Sequence, residues 1–417
     1  MYVSSALLRI LRVAAAVLAG AVIVGGIFTA GAAVGSRDPQ ALPGFIRDRV
    51  VDEKGPGAIN EALGLIRDDY YKDPGDRKLV DDAIDGMVEG LGDRFSSYFD
   101  PKEYAEFQQR QDNRFDGIGV LVSQDPRGLA VSEVYPKSPA KEAGIKAGDI
   151  ITVAAGKNLK GLTSERASSN VRGPAGTKVA LEVVRKVDGK ERTLKITSER
   201  RPVEVPVVDS TLRTEDGEKV GVVRLAQFTN QSALQVGQEF LKLEERGATR
   251  FVLDLRSNPG GLVNEAQNLA SLFLKGGNVV TLKGRTIGRV PYPAGDKPAF
   301  PKTPMVVLVD EGSASAAEIV TGALQDHGRA TVVGTRTFGK GVFQRVEPLA
   351  SGGALDITAG QFFTPKGRNL GDKKTQSGNG TGRGEGLAPD IQAKDEPKTA
   401  KNEALERAIR EAAKLKE

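Results

Sequence analysis

Ser315 lies in the run Gly312-Ser313-Ala314-Ser315-Ala316-Ala317-Glu318 and Lys340 in Thr337-Phe338-Gly339-Lys340-Gly341, in a chain of 417 residues with one histidine and no cysteine. A hydroxyl becomes a useful nucleophile only when a neighbouring base takes its proton. With histidine nearly absent, lysine is the base to consider, provided that desolvation or nearby positive charge keeps its amine neutral. Chain geometry selects Lys340 over His327. A helix from Ser315 to Asp326 rises about 1.5 Å per residue and carries His327 roughly 18 Å from the serine. The strand from Ala330 to Gly334 then runs back at about 3.3 Å per residue, and a few loop residues return Lys340 to the serine end. Phe338 and Val342 can dry the site, and Gln344 can hydrogen-bond the amine and orient it.

These residues need a scaffold of strand-to-helix turns. Ser315 follows Met305 to Asp310, with small neighbours that let a carbonyl approach and a helix N-terminus that offers partial positive charge. Ser313 is the better candidate for capping that helix, which leaves Ser315 free in the first turn. A second such turn is Asp254-Leu255-Arg256-Ser257-Asn258-Pro259-Gly260-Gly261, where consecutive glycines leave backbone N–H groups open to a ligand, as an oxyanion hole requires. Alone, that turn is equally compatible with phosphate binding or with no ligand. Beyond Arg201 short β-branched runs at Val220 to Leu225, Phe251 to Leu255, Met305 to Val309 and Thr331 to Val333 alternate with helical stretches Ala233 to Glu244, Asn264 to Leu274 and Ser315 to Gln325, which argues for an α/β core.

Composition sets further bounds. Without cysteine there is no disulfide, thiol nucleophile or cysteine metal site, and a single histidine argues against catalytic zinc. We expect no cofactor and no metal. The net charge of +5 is small against 59 basic and 54 acidic residues, and their interspersion gives no nucleic-acid footprint. Arg9 and Arg12 precede an apolar stretch from Val13 to Val34, long enough to span a bilayer, so residues 1–36 read as a membrane anchor or a cleaved export signal. The positive flank leaves the rest outside the cytoplasm, in a bacterial envelope or periplasm. Residues 37–110 form an expected helical region. Within it Leu79, Ala83, Met87 and Leu91 make an apolar stripe that fits core packing, or a platform for self-association or for holding the next domain. Residues 366–386 are polar and glycine-rich and read as a mobile loop, and 397–417 hold a charged helix suited to packing, dimer contact or a solvated tail.

Residues 111–200 resemble a PDZ domain. Ser138-Pro139-Ala140-Lys141-Glu142-Ala143-Gly144 gives a short helix stopped by glycine, strands surround it at Ile118 to Val122, Leu129 to Val131, Ile150 to Val153 and Lys178 to Val184, and a helix runs near Ser164 to Val171. The resemblance implies that a peptide's C-terminal carboxylate sits on the turn with Gly117, Ile118 and Gly119, while the peptide pairs with a sheet edge. Taken with the serine, lysine and double-glycine motifs over residues 45–395, the chain resembles the carboxyl-terminal processing peptidases, also called tail-specific proteases. That resemblance implies an α/β multidomain fold, a crotonase/ClpP-like protease core over 201–396 with an inserted PDZ domain. It implies Ser315 as nucleophile, Lys340 as general base, Gln344 as its orienting partner, and an oxyanion hole from the N–H groups of Gly261 and Ala316. It also implies a role for Arg172 in coupling the PDZ domain to the site. Ser257 stands where that family often has Asn. The substrates would be proteins or peptides with free C-termini, and an adaptor protein and a homodimer are left open. The alternative reading is a PDZ adaptor with a silent protease core.

Overall fold

The β-branched runs become fully buried strands. In the computed structural model, which describes residues 55–371, 384–396, 399 and 402–416, Arg250–Asp254 and Met305–Val309 are buried at every position. A parallel sheet covered on both faces needs such strands. The main sheet runs Val208–Glu215, Glu218–Leu225, Arg250–Asp254, Met305–Val309, Thr331–Gly334, Ile391–Gln392. Its first pair is antiparallel and the rest are parallel. One face packs on helices Ser232–Glu245, Val263–Ser271 and Ala316–Asp326, with Phe240 stacked on Phe251 at 4.4 Å between ring centroids. The other face receives helix Glu403–Ala413 through Ala404, Ala408, Ile409 and Ala412. The C-terminal helix is therefore a packing element.

A second, antiparallel sheet was not foreseen. It joins Ser97–Phe99, Ala354–Phe363, Asn278–Gly284 and Gly288–Pro293 in that order, with Val342–Pro348 also paired to Ala354–Phe363. Helix Pro101–Gln111 follows the first of these strands. It begins with Asp100 and Glu103 capping each other's backbone N–H groups, a reciprocal box with proline just inside the helix.

Strand Arg114–Gly117 pairs with Arg201–Glu204 and forms a two-stranded neck where the chain enters and leaves the PDZ-like module. The module has its own core around Ile118, Leu129, Ile151 and Val183. Ile118 to Val122 is not one strand as expected. Gly119 breaks it at φ +79°, where a side chain would also lie 2.4 Å from Cβ of Ser138. The strand that follows, Val120–Asp125, is at the sheet edge. Helix Ser164–Val171 occupies the expected residues.

Of the N-terminal helices, Pro56–Asp69 buries no residue and Asp76–Glu89 buries Val88 alone. Residues through Gly86 cluster as a separate unit. The stripe from Leu79 to Leu91 is helical until Glu89, but Met87 and Leu91 are 51% and 58% exposed, so core packing does not account for it. Among the described residues no helix is long and apolar enough to cross a membrane. The apolar stretch 13–34 and residues 372–383 of the glycine-rich loop lie outside the described residues.

Candidate active site

Three turns at the ends of buried strands build the site, and buried hydrogen bonds fix them to each other. Asn258 donates from Nδ2 to the Leu225 carbonyl at 2.8 Å and accepts the Gly260 N–H at 2.8 Å, while its own carbonyl takes the Ala314 N–H at 2.9 Å. Ser313 donates to the Leu255 carbonyl at 2.7 Å and accepts the Asp310 N–H at 2.9 Å. Ser313 is thus consumed inside the turn. It does not cap the helix. Ala316 begins the helix, and Ser315 occupies the capping position itself at φ 54° and ψ −114°, a conformation that L-residues rarely adopt and that active sites tend to retain.

The two glycines answer to this crowding. A Cβ on Gly260 would lie 2.7 Å from Ser315 Cβ and 2.9 Å from the Ala316 nitrogen, and one on Gly261 would lie 2.0 Å from the Phe228 carbonyl oxygen. Phe228 bridges the pair by donating to Gly260 and accepting from Leu262, both at 2.9 Å. Among the described residues, the N–H groups of Gly261 and Ala316 meet no acceptor.

Glu318 joins the serine turn to the lysine loop. Its fully buried carboxylate accepts Ser315 N–H and Lys340 N–H on Oε2, both at 2.9 Å. On Oε1 it accepts Gly339 N–H at 2.7 Å and the Thr337 hydroxyl at 2.6 Å. Burial pushes its carboxyl above the usual range against these four bonds.

Lys340 then enters a dry, hydrogen-bonded setting. Nζ donates to Gln344 Oε1 at 2.7 Å and lies 5.0 Å from the centroid of the Phe95 ring. Burial lowers its pKa, partly offset by the nearby charges of Asp356, Glu318 and Asp93. Phe95, from the N-terminal region, faces the amine in addition to the expected Phe338 and Val342, and sequence reasoning did not single it out.

Ser315, Lys340, Gln344 and Gly261 line one cleft of ≈ 770 Å³. Asp356 lines it too, with Oδ1 buried and unpartnered and with a pKa pushed up to about 6 by burial. His327 faces elsewhere, with Nε2 2.8 Å from the Asn278 carbonyl. A second cavity, ≈ 610 Å³, holds Ile118, Gly119 and Arg172 between the Val120–Asp125 edge and helix Ser164–Val171. The Arg172 guanidinium is 5.8 Å from the Phe115 ring centroid. Gly117 does not line this cavity. It is buried at the end of the neck, opposite Arg201.

Residues 219–393 match the profile of peptidase family S41, residues 130–185 that of a PDZ domain, and residues 48–103 the N-terminal domain of the activating protease CtpB. A carboxy-terminal-processing protease of Bartonella bacilliformis is 35% identical over 333 residues, which cover 78% of this chain and 72% of that protein. The chain belongs to peptidase family S41. Other S41 relatives include carboxy-terminal processing protease CtpA of Bacillus subtilis, 33% identical over 74% of this chain and 65% of its own length. A probable CtpA-like serine protease of Staphylococcus aureus strain N315 is 34% identical over 82% of this chain and 65% of its own length. The chain thus spans just under two thirds of these last two proteins. Among solved structures, a photosystem II D1 C-terminal processing protease aligns at 27% identity and a TM-score of 0.47, covering 85% of this chain and 90% of that one.

Ser257 adopts φ +54°, a left-handed conformation that Asn tolerates better than Ser. Its N–H and hydroxyl both bond Asp310, at 2.8 and 3.2 Å.

Proposed function

We propose that this S41 member is a serine endopeptidase that cuts exported proteins near their C-termini. The observation that carries the reading is the shared cleft of Ser315 and Lys340, with the lysine amine depressed by burial and two unpaired N–H groups beside the serine. Neutral Lys340 takes the Ser315 proton as Oγ bonds to the substrate carbonyl carbon. The oxyanion accepts from Gly261 and Ala316 N–H. The carbon–nitrogen bond breaks as the lysine ammonium returns its proton to the leaving amine, and the downstream peptide departs. Lys340 then removes a proton from water as the water oxygen bonds to the ester carbon, the carbon–Oγ bond breaks, and the lysine ammonium returns that proton to Ser315 Oγ.

In this reading the PDZ module holds the substrate tail. The N–H groups of Ile118 and Gly119 meet no acceptor among the described residues, while their carbonyls are bonded by Ala140 and Tyr135, an arrangement suited to a terminal carboxylate. The supporting link to the cleft is helix Pro101–Gln111. Its Phe107 and Gln111 line the cleft, and the following neck strand supplies Phe115 to the PDZ groove. Export through residues 1–36, and self-association over the exposed Met87 and Leu91, belong to the same proposal. Fractionation and sedimentation test them.

Incubating purified protein with an unfolded substrate that carries an apolar C-terminal tail tests the central claim. We expect cleavage by wild type and none by Ser315→Ala or Lys340→Ala. Binding of C-terminal peptides without cleavage by wild type would instead identify an adaptor with a silent core.

A further inference from the structure

The bond from Lys340 to Gln344 is useful to a base only in one polarity. A neutral amine has two N–H groups and one lone pair, so donating to Gln344 Oε1 leaves the lone pair for a serine proton. A glutamine turned over would aim its Nε2–H at that lone pair. What holds the amide in place lies further from the cleft. Gln344 Nε2 donates to Thr358 Oγ1 at 3.2 Å. A threonine hydroxyl can donate or accept, but Thr358 has beside it, across Ser96, the Asp93 carboxylate, whose acidity the Thr358 side chain raises and which only accepts when ionised.

Asp93 is itself fixed by its own turn. Ser96 Oγ donates to Asp93 Oδ2 at 2.6 Å, and Phe95 N–H donates to Oδ1 at 3.1 Å. The same Ser96 Oγ accepts the Thr358 N–H at 3.0 Å, which ties the turn to strand Ala354–Phe363. Although burial works against it, these hydrogen bonds hold the Asp93 carboxyl below its usual range. The carboxylate is therefore ionised wherever the enzyme operates near neutral pH.

We infer that Asp93 and Thr358 are positioning residues for the base. The carboxylate sets the direction of the hydroxyl, the hydroxyl sets the amide, and the amide leaves the Lys340 lone pair available. The inference rests on Lys340 acting as the base. Charges that act on the amine are Asp356, Glu318, Asp93 and Arg94, so charge removal at Asp93 alone would confound the result. The decisive change is at Thr358, where Val keeps the branched shape that suits a strand and removes only the hydroxyl.

Steady-state peptidase kinetics on the full chain test this with Thr358→Val, Thr358→Ser, Asp93→Asn, Gln344→Ala and the Gln344→Ala/Thr358→Val double variant. Thr358→Val is expected to lower kcat about tenfold or more with KM within about twofold, and Thr358→Ser to restore most of the loss. In the Gln344→Ala background Thr358→Val should cost nothing further, because its effect passes through that amide. Asp93→Asn, in a turn outside the strand, removes a charge that favours the protonated amine, so the kcat loss expected in it runs against that effect and covers the case in which Thr358→Val does not fold. Wild-type kcat in both Thr358→Val and Asp93→Asn overturns the inference. So does an equal loss in Thr358→Ser, or additive losses in the double variant. Cleavage retained by Ser315→Ala would instead bring down the underlying reading of the site.

Discussion

Lys340 is expected to be active only without its proton, and burial is the principal force that removes it. The pH profile of kcat/KM should therefore rise along a limb lying below the ordinary lysine value of 10.5. A limb at or above that value would exclude this lysine as the base. Asp356 supplies a second titration. Its folded carboxyl sits at about 6 against an ordinary 3.8, so the folded state holds a proton through a window in which the unfolded chain has released it. Stability falls as pH rises through that window, and the deficit persists above it. Asp356→Asn should stabilise the protein by about 1–2 kcal/mol near pH 8, a figure reduced for partial solvent exposure, and by little near pH 4. Urea midpoints at the two pH values measure the difference. Ser315 carries strain of another kind. At φ 54° glycine is at ease and alanine is not, so Ser315→Gly should gain about 1 kcal/mol over Ser315→Ala while both lose cleavage. Equal melting temperatures for the two would remove the strain argument.

At the scale of elements, the two active turns are held in register by one carboxylate. Glu318 accepts from four donors on two segments. A glutamine there turns one acceptor into a donor that faces N–H or O–H groups. Glu318→Gln should cost about 2 kcal/mol of stability, by leaving buried donors unmet, and should depress kcat more than KM. Chemical denaturation and kinetics read the two effects separately. The elements themselves were unevenly legible. Met305–Val309 and Thr331–Gly334 announce themselves as β-branched runs, and the strand-to-helix turns at Gly261 and Ser315 follow from glycines and small residues. Strand Ala354–Phe363 has no comparable pattern, with glycine and an acid inside it, and its partner Ser97–Phe99 is only three residues long. Asp93, Phe95, Thr358 and Asp356 escaped notice because only that long-range pairing brings them to Lys340. The stripe from Leu79 to Leu91 was legible as a helix, found through Glu89, but what covers it was not. Periodicity gives the apolar face of a helix, and it says nothing of what covers that face.

At the scale of the whole molecule, the PDZ module has its own hydrophobic core, and its chain enters and leaves through a paired neck. A fragment spanning residues 114–204 should therefore fold alone and unfold in one cooperative step, as small domains do. Gradual, non-cooperative loss of its circular dichroism would show that the module depends on the rest. The active site is less self-contained. The bond between Thr358 and Ser96 closes a separation of 262 residues, a contact of the kind that forms late when local structure forms first. A chain still being made would thus hold Ser315, and even its PDZ module, while the lysine lacked Phe95 and the turn around Asp93. Under the proposed mechanism the chemistry is scheduled by the topology: the site is expected to become competent only after the stretch that carries Ala354–Phe363 has returned to Ser97–Phe99, so a half-finished copy is expected not to cut its neighbours.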